Sequence, residues 1–114
     1  MDLAIVPPRG TPRQLLTYLN FDAGPAYYHV DNTLLGTRFS VRWDGSVLPY
    51  AWFFQEMDAG QGYPWFGTTY VMAIEPSSTK PGRGLAHAVE AGIVTRLEPG
   101  ASDSISISAS ITAL

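Results

Sequence analysis

Hydrophobic and polar residues alternate with a period of two through most of this chain, in runs too short for most helices. Successive side chains of a pleated strand point to opposite faces, so the pattern predicts half-buried β-strands. Gln14–Phe21 sets Leu16, Tyr18 and Asn20 against Leu15, Thr17 and Leu19. Ala26–Val30 and Leu34–Trp43 read as a pair around Asp31-Asn32. In the second of these, Phe39, Val41 and Trp43 alternate with Arg38, Ser40 and Arg42, which predicts one wet face. Tyr50–Glu56 and Thr68–Glu75 flank a Gly/Pro-punctuated loop, Met57–Gly67, and Ile93–Leu97 reads as a further strand. In the last segment Ser104, Ser106, Ser108 and Ser110 alternate with Ile105, Ile107, Ala109 and Ile111, so one face is expected to be buried and the other wet.

Turn chemistry separates these runs. Asp22-Ala23-Gly24-Pro25 supplies a Gly free to take positive φ and a Pro that fixes its own. Asp44-Gly45 is placed for a tight hairpin into Val47–Glu56. Glu98-Pro99-Gly100 has the Pro and Gly order of a type II turn. Leu3–Val6, closed by Pro7-Pro8-Arg9-Gly10, is either an edge strand or a lead-in segment. The one helix candidate is Leu85–Ala91, with Leu85 and Val89 four apart and Gly92 at the position that ends a helix. About eight short strands with turns between them predict an all-β, antiparallel β-sandwich with at most one short helix, formed by residues 1–114 as a single segment.

Composition narrows the function classes. With 46% hydrophobic and 15% charged residues the chain reads as globular, not disordered. A net charge of -3 with scattered basic residues argues against a nucleic-acid partner, which needs clustered Lys and Arg. The absence of Cys removes disulfides, thiolate metal sites and thiol nucleophiles. Two isolated histidines and no acidic loop of calcium-binding spacing give no metal signal. Loop 77–84 holds Lys80 and Arg83 among glycines but lacks the order of a phosphate loop. There is no transmembrane run, and the opening Met-Asp-Leu-Ala-Ile-Val has an acid where a secretion signal needs a base. A cytoplasmic location is the expectation.

The chain is organised around Pro49–Glu75, which holds two of its three Trp residues. Alternation puts Tyr50, Trp52, Phe54 and Glu56 on one side of the first strand, with Ala51, Phe53 and Gln55 on the other. Both strands end by setting a polar group beside apolar ones, an arrangement that suits a ligand wall. Trp52 and Trp65 offer flat apolar faces, and Gln55 offers both a donor and acceptors. Each also has a plainer reading. Aromatic residues in strands usually pack the core, Glu56 is expected to be a surface residue, and most strand-end carboxylates simply face water.

The run Pro49–Gln55 followed by Trp65–Pro76 resembles the C-terminal part of the aldose 1-epimerase, or galactose mutarotase-like, family. The resemblance continues through Trp65-Phe66-Gly67, Tyr70-Val71-Met72-Ala73-Ile74-Glu75-Pro76, the Gly84–Gly92 segment and Leu97-Glu98-Pro99-Gly100, covering about residues 35–114. It implies a β-supersandwich that binds a monosaccharide and interconverts its anomers without a cofactor. In such proteins a carboxylate takes the proton of the anomeric hydroxyl while a histidine protonates the ring oxygen. By position, the resemblance makes Glu75 the base, with Trp52, Gln55 and Trp65 as sugar-binding residues.

The resemblance departs from the family pattern at the histidines. Neither His29 nor His87 matches a family position, and the chain is much shorter than a full family domain. The expectation is therefore a partial domain that lacks the general acid. A non-catalytic sugar-binding module and a structural sandwich that self-associates through exposed strand edges are the alternatives.

Overall fold

The computed structural model describes residues 1–114 and contains six strands and one helix. They are β1 (Arg13–Asn20), β2 (Pro25–Asn32), β3 (Thr37–Asp44), β4 (Tyr50–Met57), β5 (Tyr70–Ser77), α1 (Leu85–Glu90) and β6 (Ser108–Ala113). Two antiparallel three-stranded sheets result, ordered β1-β4-β5 and β2-β3-β6. The architecture is all-β and sandwich-like, as the alternation predicts.

The core has two parts. In the second sheet Ala26, Val41 and Trp43 are buried, with Phe21, Tyr28 and Leu48 packed around them. Phe21 meets Trp43 edge-on at 4.8 Å between centroids, a favourable aromatic geometry. In the first sheet, the central strand β4 buries Ala51, Phe53, Gln55 and Met57, all from one face.

Asp44-Gly45 does not make the expected hairpin. β3 pairs with β2 and β6, whereas β4 pairs with β1 and β5, so Gly45–Pro49 crosses between the sheets. The crossover is held by main-chain bonds from Gly45 to Gly24 at 2.7 Å and from Phe21 to Pro49 at 2.9 Å, and by the Trp43 indole donating to the Leu48 carbonyl at 2.9 Å. A side chain at Gly45 would place Cβ 2.6 Å from the Asp22 carbonyl oxygen, so the close approach requires Gly.

The other departures lie towards the C-terminus and at the start. Ile93–Leu97 forms no strand, and neither does Leu3–Val6. β6 is shorter than the alternating run suggests and is exposed on both faces, not on one. Its alternation is realised in register, but no layer lies over its apolar side. Six strands therefore form where about eight were expected. The helix does form, and its end follows the sequence signal. Gly92 has φ +70°, its N–H bonds the Val89 carbonyl at 3.1 Å, and that of Ile93 bonds the Ala88 carbonyl at 3.0 Å. These two bonds define a Schellman motif. The turn at Glu98 also closes, with the Ala101 amide donating to the Glu98 carbonyl at 3.0 Å and Gly100 at φ +78°.

Candidate functional site

Three strands place the candidate site on one face of the first sheet. Tyr18 on β1 is the register partner of Trp52 on β4, and Trp52 is in turn the partner of Glu75 on β5. Side chains directly opposite one another in an antiparallel sheet share a face. A phenol, an indole and a carboxylate thus form a row across the sheet. Glu75 is solvent-exposed, while Tyr18 and Trp52 are half-buried.

The indole is fixed by its own hydrogen bond, from Nε1 to the Thr79 carbonyl at 2.5 Å. That bond draws the segment after β5 back over the sheet and brings Lys80 onto the same face. The Lys80 ammonium stands 4.9 Å from the centre of the Tyr18 ring and 5.3 Å from that of Tyr50, within cation–π reach of both. The two tyrosines meet edge-on at 6.0 Å. A small hollow of about 210 Å³ opens beside Trp52, with Lys80, Gly82 and Leu85 on its wall. It is smaller than the roughly 300–1,000 Å³ of enclosed drug-sized sites, so the face is a shelf and not a cavity.

Trp65 lies in the loop between β4 and β5 and packs on Phe54, with ring centroids 6.0 Å apart. Phe54 projects from the same face as Trp52, so Trp52 and Trp65 belong to one side of the sheet. Gln55 does not join them. It projects from the opposite face and is fully buried, accepting from the Arg13 guanidinium at 3.1 Å and directing its amide at the Met72 sulfur at 3.7 Å. The same alternation that puts Trp52 over the shelf puts Gln55 in the interior, where it serves Arg13.

Glu56, expected at the surface, is also fully buried. The loop after β4 folds back so that the amides of Ala59 and Gly60 donate to Glu56 Oε1 at 3.1 and 2.7 Å. Its Oε2 has no hydrogen-bond partner in the chain. Next along the loop, Asp58 holds the N-terminal segment, meeting Arg9 at 3.0 Å and the Gly10 amide at 3.0 Å. These two carboxylates hold the loop, Glu56 through the Ala59 and Gly60 amides and Asp58 through Arg9 and the Gly10 amide.

Neither histidine lines the hollow beside Trp52, although α1, which carries His87, borders it through Leu85 and Ala88. His29 is on β2 in the second sheet, 4.0 Å from Asp31, and His87 is an exposed residue of α1. A second hollow, of about 850 Å³, lies on the other side of the first sheet. Phe53, Met72 and Ile74 line it from the sheet face opposite Glu75, Leu3–Val6 border it, and His29 and Asp31 are its polar members. Residues that sequence reasoning did not place at the site are Tyr18, Tyr50 and Lys80. The position of Tyr50 was legible from alternation, but Tyr18 and Lys80 depend on strand pairing and on the Thr79 bond.

No helix is long and apolar enough to cross a membrane, and no group of three metal-ligating side chains forms. No protein family, curated protein or solved structure matches the chain. What the fold and the site define is an antiparallel β-sandwich-like protein with an aromatic shelf beside an exposed carboxylate.

Proposed function

We propose that this chain binds a monosaccharide on the Tyr18–Trp52–Glu75 face and that Glu75 is the base of a mutarotase-like anomer exchange. The observation that carries the reading is the register of three adjacent strands, which sets a carboxylate directly across from a fixed indole. A pyranose laid with its C–H side on Trp52 presents its hydroxyls at the edge of the ring, where Glu75 stands. Glu75 takes the proton from the anomeric hydroxyl, the C1–O5 bond breaks with its electron pair passing to the ring oxygen, and that oxygen takes a proton from the solvent that reaches this exposed face. Rotation about C1–C2 and closure in reverse give the other anomer. The proton transfers need no cofactor.

The site supplies the base more completely than the acid. His29 belongs to the other sheet, so the chain does not set an imidazole from that strand across the sugar from Glu75. This favours, as the second reading, a non-catalytic sugar-binding module that keeps the aromatic shelf.

Saturation-transfer NMR on glucose and galactose measures anomer exchange, and calorimetry against a sugar panel measures binding. Exchange that exceeds the buffer rate and vanishes in Glu75→Gln supports the first reading. Binding without exchange selects the second. Absence of binding by any sugar removes both.

A further inference from the structure

We propose that the free edge of β2 takes up an extended peptide, which adds a strand to the β2-β3-β6 sheet and fills the hollow of about 850 Å³ beside it. Five consecutive residues of β2, Tyr27 to Asp31, line that hollow. Neighbouring side chains on a strand point to opposite faces. An opening lined by an unbroken run therefore lies along the strand's edge and not over one of its faces. The opposite wall is the apolar side of the first sheet, with Leu19, Phe53, Met72 and Ile74.

The ladder bonds show which main-chain groups that edge presents. Along an antiparallel pair, residues that exchange hydrogen bonds alternate with residues that do not. The Gly45 amide bonds the Gly24 carbonyl at 2.7 Å, in register with the β2-β3 ladder. The Leu114 amide bonds the Gly36 carbonyl at 2.9 Å, in register with the β3-β6 ladder. Both bonds fix the same alternation: Ala26, Tyr28, Val30 and Asn32 bond to β3, and the N–H and C=O of Tyr27, His29 and Asp31 point away from it. No other group of the chain bonds these three residues through their main chain. Three donors and three acceptors at strand spacing thus border the hollow.

Those groups specify the occupant. Another extended main chain is what matches alternating N–H and C=O groups, and strand addition of this kind is a recurrent way to bind peptides. Tyr27 to Asp31 spans about 14 Å, the length of a five-residue strand. An α-helix about 10 Å across would need about 1,100 Å³ over that length, more than the hollow holds. Leu3–Val6 borders the hollow, but the stretch after it is tied elsewhere, by the Tyr70 hydroxyl donating to the Pro7 carbonyl and by Arg9 on Asp58 at 3.0 Å. The side chains around the edge set the pattern of the peptide. Residues opposite Tyr28 and Val30 face the apolar wall and are apolar, and those opposite Tyr27, His29 and Asp31 are polar. Arg42 lies 5.4 Å over the Tyr27 ring and meets no carboxylate, whereas Asp31 is already paired with Arg38. An acidic side chain therefore belongs at the Tyr27 end.

Amide NMR on the full chain tests the proposal, with acetylated and amidated heptapeptides that alternate Val with Thr and carry one Glu at each Thr position in turn. The expected result is saturable binding and hydrogen exchange slowed by about tenfold or more at the Tyr27, His29 and Asp31 amides. N-methylation of the peptide amides that face β2 should weaken binding by about tenfold or more, whereas N-methylation of the alternate amides should not. His29→Pro removes an outward N–H without touching the bonds to β3, a place where edge strands accept Pro, and should abolish binding. Ile111→Pro does the same at the outer edge of β6 and should leave binding unchanged, with circular dichroism reporting both folds. If His29→Pro fails to fold, the N-methyl series on the unaltered chain decides. No slowed exchange with any peptide at millimolar concentration overturns the proposal. Binding indifferent to N-methylation also overturns it and makes the hollow a site for apolar groups alone. Slow exchange at the same three amides without peptide overturns it too. It assigns the edge to Leu3–Val6 if independent of chain concentration, and to a second copy if not.

Discussion

Trp52 and Glu75 occupy opposed positions on adjacent antiparallel strands and project from the same face of the sheet. Cross-strand neighbours of this kind have Cβ atoms about 4.5–5.5 Å apart, so an indole and a carboxylate reach one small molecule together. The two side chains differ in how firmly they are held. Trp52 is tied to the Thr79 carbonyl, whereas Glu75 is exposed at the free edge of the sheet.

That difference separates their substitutions. Glu75→Gln keeps the shape and hydrogen-bonding reach of the side chain but removes the base. Anomer exchange should fall by about 10²–10⁴-fold, the usual share of a positioned acid–base group, while sugar binding persists. Trp52→Ala should do the opposite first, weakening binding by about tenfold or more, and should also release the segment that carries Lys80. Saturation transfer reads the exchange and calorimetry reads the affinity. Equal exchange by wild type and Glu75→Gln removes Glu75 from the chemistry.

Gln55 is expected to behave as a core residue. Its amide fills a fully buried position and partners Arg13 across 3.1 Å. Gln55→Ala leaves both a void and an unpaired guanidinium and should cost about 2–4 kcal/mol in urea denaturation. Sugar affinity should stay unchanged under conditions where the variant is folded. Lost affinity with undiminished stability would return Gln55 to the ligand wall.

The alternation that separates these two residues shows how far the sequence could be read. Periodicity sorted Trp52 from Gln55 and Phe39 from Arg38, because each strand's faces follow from local geometry alone. The Gly92 helix end and the Glu98 turn were legible for the same reason. What failed required knowledge of partners at a distance. Asp44-Gly45 looks locally like a hairpin turn, yet the contacts of Gly45 with Asp22 and Gly24 send the chain to the other sheet. Ile111 looks like a core residue by spacing, but burial depends on what lies above the sheet, and spacing carries no information on that. Glu56 looks exposed because carboxylates usually are, and only the backward fold of the next loop explains its burial.

The polar face of the second sheet predicts an acid sensitivity. Arg38 donates two hydrogen bonds to Asp31, at 2.6 and 2.8 Å, and these hold the Asp31 carboxyl below its ordinary value of 3.8. The folded chain therefore takes up this proton less readily than the unfolded chain. The contribution of the pair is fully present above pH 3.8 and is lost as pH falls through the lower, folded value. Arg38→Met should bring the Asp31 titration, followed by carboxyl ¹³C NMR, back up towards 3.8 and flatten the dependence of stability on pH in that range. An unmoved Asp31 titration would show that the guanidinium is not what lowers it. The pair is exposed, so the effect on stability should be small and should shrink with added salt.

Glu56 offers the sharpest contrast between two conservative changes. Its Oε1 accepts from the Ala59 and Gly60 amides, while its Oε2 is buried without a partner in the chain. Only one oxygen is thus needed to hold the loop, and a neutral amide supplies one. Glu56→Gln keeps an acceptor for both amides and removes a buried carboxylate, so its stability should equal or exceed that of wild type. Glu56→Ala leaves two amides without their acceptor and opens a void, at a cost of about 2–4 kcal/mol. The loop beyond it, which carries Trp65, should then become the first site of proteolytic nicking. Denaturation midpoints and limited proteolysis measure both effects. A Gln variant as unstable as the Ala variant would show that the fold depends on the negative charge and not on a single accepting oxygen.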